Sequence, residues 1–234
     1  MKMNNYNLQR VYLFSPSIWR TRIPPELYDK EEILKTVKEN YNISPYRNEW
    51  GDLENRDNWH HTYGDEENSK FKKVNLDKVN EQYGILVREF IDAMRPVTPI
   101  KYHYRITNIT ANKKNQSMKV HNHLAKVIGL EHWSSYNAVH YVNFKKGHAG
   151  TKIVNPSVFA QYFKTYEHVF GIFDQTTSDN TEYMDTTIMQ AEEDDIIFMP
   201  SYLNHGVDGQ NVTIDDLRVT IVLNIWIERV NEQN

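Results

Sequence analysis

The chain has 234 residues, a net charge of −4 and 39% apolar residues, which suits one well-cored soluble domain rather than a disordered or membrane chain. Cysteine is absent, so disulfides, thiolate nucleophiles and Cys-based zinc or iron–sulfur sites are excluded together. The slightly acidic balance gives no overall footprint for nucleic acid, and glycines are few, with no G-x-x-x-x-G-K or G-x-G-x-x-G run to cradle a phosphate.

The opening Met1-Lys2-Met3-Asn4-Asn5-Tyr6 has no apolar stretch of the signal-peptide kind. The longest apolar run, Val219 to Ile227, is broken by Thr220 and Asn224. A soluble, cytoplasmic protein without a membrane partner is expected. Val11 to Phe14 reads as a short strand that stops at Ser15-Pro16. Pro24-Pro25 precedes a helix expected over Glu26 to Asn40, with Leu27, Leu34, Val37 and Tyr41 on one face. Residues 43–73 read as a polar, irregular loop. Its Trp50, Trp59, His60 and His61 are unusual content for a linker and suggest substrate contact or closure over a site. Asn75 can cap a helix from Leu76 to Arg95, whose Val79, Tyr83, Leu86, Val87, Phe90 and Ile91 form the clearest helical stripe in the chain; Pro96 stops it.

From Ile100 onward the period changes to two. Strands are expected over Tyr102–Ala111, Met118–Leu124, Ser135–Phe144, Thr151–Val154, Thr186–Gln190, Asp195–Met199 and Arg218–Glu228, with a helix after Pro156 that carries Val158, Phe159, Tyr162, Phe163 and Tyr166. Helices followed by many short strands predict a mainly β, antiparallel α+β arrangement. The expected organisation is a single domain over 1–234, with 1–99 as helical and loop support and 100–230 as the β core. The last strand has one apolar face (Val219, Ile221, Leu223, Ile225, Ile227) and one mixed face (Arg218, Thr220, Val222, Asn224, Trp226). That pattern fits the wall of a small barrel packed by helices outside and holding a site inside.

On a strand, His121 and His123 project from the same face and can chelate a divalent metal. His205, five residues beyond Pro200, is the candidate third ligand. His60, His61, His132, His148 and His168 lie in polar loop or helix contexts where solvation accounts for them. Arg218 opens the last strand on its inward face and needs an anionic partner there, because an unpaired buried charge is costly. Its guanidinium fork suits a carboxylate.

Ile106-Thr-Asn-Ile, Val120-His121-Asn122-His123, Asn137-Ala-Val-His-Tyr141-Val142 and Ile153-Val154-Asn155-Pro156 together resemble a family, as does the tail Asp195-Ile-Ile-Phe-Met-Pro200-Ser-Tyr-Leu-Asn-His205 with Arg218-Val-Thr-Ile-Val-Leu-Asn224-Ile. The family is the 2-oxoglutarate/Fe(II)-dependent oxygenases, of the hydroxylase type common in phages and marine bacteria. The tail is the most specific part. The resemblance implies a double-stranded β-helix (jelly-roll, cupin-like) fold with flanking helices. It further implies Fe(II) on His121, His123 and His205, and 2-oxoglutarate with its distal carboxylate on Arg218. Tyr141 and Asn224 would line the cosubstrate pocket. With O2, the implied reaction is oxidative decarboxylation to succinate and carbon dioxide, coupled to hydroxylation of a prime substrate. Whether that substrate is a protein side chain, a small molecule or a nucleotide stays open, as does a homodimer.

The chain departs from the family at three places. His123 stands where most members carry a carboxylate, and Asp194 stands where a Gly is usual. The insertion Ala125 to Tyr136 brings in Glu131 and His132 as competitors for the second ligand. A cupin-type metal protein built on His121, His123, Glu131 and His205, or a non-enzymatic jelly-roll interaction module, is the alternative. Arg218 discriminates, since it has work to do only when an anionic cosubstrate binds.

Overall fold

The structure is a computed structural model that describes residues 7–12, 17–43, 58–62, 71–114, 116–124, 133–156, 186–209 and 213–230. In chain order the strands are β1 (Gln9–Tyr12), β2 (Ser17–Arg22), β3 (Asn58–Thr62), β4 (Ile100–Asn112), β5 (Met118–His121), β6 (Tyr136–Asn143), β7 (Thr151–Val154), β8 (Thr186–Ile188), β9 (Asp195–Pro200), β10 (His205–Val207) and β11 (Arg218–Arg229). Helix α1 spans Lys30–Ile43 and α2 spans Asp77–Ala93.

Strands from β4 onward pair antiparallel in a nested way: β4 with β11, β5 with β10, β6 with β9 and β7 with β8. Successive pairs alternate between two sheets, ordered β1-β2-β9-β6-β11-β4-β3 and β5-β10-β7-β8. One long antiparallel ribbon is thus wound across both sheets, which is a double-stranded β-helix. The inner faces meet through Val139, Tyr141, Ile197, Met199 and Val222 of the larger sheet, packed with Ile153 and Leu203 of the smaller sheet's side.

The helices lie on the outer face of the larger sheet. The α2 stripe of Val79, Tyr83, Leu86, Val87, Phe90 and Ile91 is buried in one cluster with Val219, Ile221, Leu223 and Ile225 of β11. Phe90 stacks on Phe198 of β9 with centroids 4.6 Å apart and meets Trp19 and Tyr136 edge-on. The alternation along β11 therefore divides helix side from interior as the sequence predicts.

Several boundaries differ from expectation, each for a local reason. The first helix is split: a 3-10 turn over Pro25–Leu27 ends at Tyr28, whose extended backbone lets its hydroxyl reach Asp194 Oδ1 at 2.5 Å before α1 begins. Strand β2, unannounced in the sequence, is held to β9 by Arg20 and Arg22, which pair with Asp195 at 2.8 and 3.4 Å. Residues 58–62, which include Trp59, His60 and His61, form edge strand β3 against β4 and are not a loop. Trp50 and the helix expected over 158–166 lie outside the described residues. Asp194 takes φ +66°, the left-handed region that favours glycine. An Asp tolerates it here because Tyr28 and Lys30 hold its carboxylate, the latter at 2.7 Å. Among the described residues no helix is long and apolar enough to cross a membrane.

His140 lies in the helix-side core, fully buried, with Nδ1 2.8 Å from the Tyr83 hydroxyl and the Tyr28 ring edge-on to it. Burial, and then the charge of Lys30, push its pKa down to about 3. The folded chain keeps this imidazole neutral, while the unfolded chain binds a proton below about pH 6.5. The unfolded state thus holds more protons between those values, and stability should fall as pH drops through that window by about 1.4 kcal/mol per unit. A denaturant titration series from pH 7 to pH 4 should show a shallower decline for His140→Leu than for wild type.

Candidate metal centre

The site is built by the pairing of β5 with β10. His205 lies directly opposite His121 in that ladder and opposite Ile153 in the β10–β7 ladder. Side chains opposite each other share a face, so His205 and His121 point to the side that buries Ile153, the interior. Their ring centroids are 4.6 Å apart. The register shifts between His205 and Val207, and the intervening Gly206 allows it: a Cβ there would meet the Met118 carbonyl oxygen at 2.8 Å.

The expected strand over Met118–Leu124 is shorter than predicted. It ends at His121 because β10 begins at His205, and the Ser201–Asn204 segment before it offers no ladder to continue. His123 is held outside the strand by backbone contacts instead. Its N–H donates to the Ser201 carbonyl at 2.9 Å, and its carbonyl accepts from the Ser134 hydroxyl. It still reaches the others, with centroids 5.2 Å from His121 and 5.0 Å from His205, nearly parallel to the latter ring. Ligand atoms of all three lie within 4.8 Å of one another. His205 is the first residue of strand β10.

Each imidazole is oriented by an oxygen at Nδ1. His121 Nδ1 lies 2.8 Å from the Lys119 carbonyl, His205 Nδ1 3.0 Å from the Leu203 carbonyl, and His123 Nδ1 3.0 Å from Asn224 Oδ1. An oxygen acceptor keeps the proton on Nδ1 and leaves the Nε2 lone pair for a metal. Burial, followed by the neighbouring His123 and His121, pushes the His205 pKa down to about 3, so its ring stays neutral as ligation requires. The donor set fits a divalent transition metal. Glu131 and His132, the competitors for the second position, lie outside the described residues.

Arg218 opens β11 and is 3% exposed. Its Nη2 donates to Thr151 Oγ1 at 3.1 Å, and its guanidinium lies 5.4 Å from the Tyr141 ring and 5.8 Å from that of Phe144. Thr151 Oγ1 also accepts the Tyr141 hydroxyl at 2.6 Å. Among the described residues Arg218 forms no ion pair, and its Nε has no hydrogen-bond partner. Burial alone lowers its pKa, yet an arginine stays charged. The interior therefore contains a buried cation next to two hydroxyls that can face an anion.

Of the six residues singled out in the sequence, the three histidines form one cluster, and Tyr141 lies beside Arg218 in the same interior. Asn224 lies behind His123, with Oδ1 3.0 Å from Nδ1 of that ring. Thr151 was not anticipated, since a lone threonine at the start of a four-residue strand carries no signal until register puts it between Tyr141 and Arg218.

No protein-family model and no curated protein matches the sequence. Solved structures do. AviO1 from Streptomyces viridochromogenes Tue57 superposes with a TM-score of 0.51 at 12% identity, over 90% of each chain. The chain has the fold of AviO1. The epimerase SnoN, solved in complex with Fe3+, alpha ketoglutarate and nogalamycin RO, gives 0.48 at 11% identity over 92% of this chain and 82% of that one. An oxidoreductase of the 2OG-Fe(II) oxygenase family from Burkholderia pseudomallei gives 0.38 at 15% identity; the chain covers 52% of its length.

Proposed function

We propose that the protein is a non-haem Fe(II)- and 2-oxoglutarate-dependent oxygenase that hydroxylates a prime substrate. The observation that supports this most is Arg218, a buried guanidinium without an anionic partner among the described residues, in the same interior as three metal-competent histidines. A dicarboxylate satisfies both ends, one carboxylate at the guanidinium and the other, with its keto group, at the metal. Three neutral imidazoles add no negative charge of their own, which strengthens the preference for a dianion. A metal-binding module without such a ligand would leave the Arg218 charge uncompensated at a cost of several kcal/mol.

In this assignment His121, His123 and His205 hold the iron. When bound, the iron supplies oxygen activation coupled to the conversion of 2-oxoglutarate and O2 to succinate and carbon dioxide, the second oxygen atom going to a substrate C–H bond. The rest falls to the chain itself. Arg218 binds the distal carboxylate, Tyr141 and Thr151 orient it through their hydroxyls, and Val139, Ile153, Met199 and Val222 give the interior its apolar lining. Segment 1–99 would then act as support and 100–230 as the catalytic core of one domain. The prime substrate is a protein side chain, a small molecule or a nucleotide. Anaerobic mixing tests the assembly: protein with Fe(II) and 2-oxoglutarate should develop a visible absorption band that neither ligand gives alone, and absence of the band would contradict it.

A further inference from the structure

Behind His123 the larger sheet buries an amide that packing does not explain. Asn137 on β6 lies opposite Asn224 of β11 on one side and opposite Met199 of β9 on the other. It shares the inward face with Val139 and Tyr141. It is 0% exposed, and among the described residues neither its Oδ1 nor its Nδ2 has a hydrogen-bond partner. The Ser201 hydroxyl, two residues along from Met199, is also buried and also without a partner among the described residues. Unsatisfied buried polar atoms are costly and uncommon. Here they collect beside one metal-competent ligand: Asn224 accepts from the His123 ring at 3.0 Å, and Ser201 accepts from the His123 backbone at 2.9 Å.

We propose that Asn137 is a positioning residue of the metal centre, acting through a buried water shared with Ser201 and Asn224. Such a water has the two to four polar partners that a buried water needs. Its function follows from the ambiguity of a carboxamide. With Oδ1 toward His123, Asn224 keeps the proton on Nδ1 and the lone pair on Nε2. Turned over, its Nδ2 would donate to Nδ1, drive the proton to Nε2 and remove the ligand. The water gives Asn224 Nδ2 an acceptor on the far side, and Asn137 Oδ1 and the Ser201 hydroxyl hold that water. Asn137 thereby selects the tautomer of His123 without touching it. This rests on His123 being a metal ligand, as in the function proposed above.

The test reads tautomer and affinity separately. Histidine 15N–1H correlation spectra of the metal-free wild-type chain at about pH 8.5, where imidazoles are neutral, should show His123 protonated on Nδ1. In both Asn137→Leu and Asn137→Ala that signal should move toward the Nε2-protonated form. Co(II) affinity in the same variants should fall about ten-fold, the scale of lost support behind a metal ligand. The melting temperature of metal-free Asn137→Leu should stay close to that of wild type, since the lost bond from Oδ1 to the water is offset by removal of Nδ2, which the water leaves without an acceptor. An unchanged His123 tautomer with unchanged Co(II) affinity in both variants would overturn the proposal. So would a loss of Co(II) affinity matched by a fall in melting temperature, which marks a merely structural residue. If wild-type protein binds no Co(II), the metal assignment fails, while the tautomer comparison still decides the role of Asn137.

Discussion

Arg218→Met is expected to separate cosubstrate from metal. In calorimetric titrations, Co(II) should bind the variant as it binds wild type, whereas 2-oxoglutarate should bind the Co(II)-loaded variant about 100-fold more weakly, as when one member of a buried, hydrogen-bonded charge pair is removed. The metal-free variant should meanwhile be more stable than wild type. Arg218 is a buried cation that donates to Thr151 Oγ1 and, among the described residues, forms no ion pair, and replacing buried charge by an apolar side chain of similar length stabilises folds by about 1–4 kcal/mol. Thr151 keeps its bond from Tyr141, so no new orphan is created. Opposite signs for stability and cosubstrate affinity are the mark of a binding residue. Equal losses of metal and cosubstrate would instead make Arg218 a structural residue.

The ligand set gives the second large effect. His205→Ala and His123→Ala should each lower Co(II) affinity by more than about 100-fold, beyond what lost support behind a ligand costs, and Glu131→Ala should leave it unchanged. For His205 the expectation comes from the ladder, which sets it directly opposite His121 in the interior. For His123 it comes from a backbone held on both sides, by Ser134 and Ser201, and a ring held by Asn224. Circular dichroism of the metal-free variants checks that the fold persists. Loss of Co(II) in Glu131→Ala alone would move the second ligand into the 125–132 segment.

Long periodic elements were legible in the sequence because burial writes a repeating pattern. The α2 stripe and the two faces of β11 can be read from residue order, and both hold in the structure. Strand β10 could not be read, since His-Gly-Val is too short to show alternation and is a strand only through β5 and β7 on either side. Strand β2 was hidden by Arg20 and Arg22, whose charges are answered by Asp195 far along the chain. At the site, residue types with strong chemistry were found and residues that act through register were not. His121, His205 and Arg218 stand out by residue type, as metal-competent imidazoles and a cation. Thr151 and Asn137 acquire meaning only when the sheets put them beside Tyr141 and Asn224. Asn224 was placed on the inward face, but its contact with His123 could not be read, because alternation predicts direction and not the return of His123 after the end of β5.

The most direct measurement is oxygen-dependent turnover of the cosubstrate. Protein assembled anaerobically with Fe(II) and 2-oxoglutarate, then exposed to O2, should release succinate slowly even without a prime substrate, and Arg218→Met under the same conditions should release far less. Absence of succinate from wild-type protein that has bound both Fe(II) and 2-oxoglutarate would contradict an oxygenase and leave a metal-binding jelly roll.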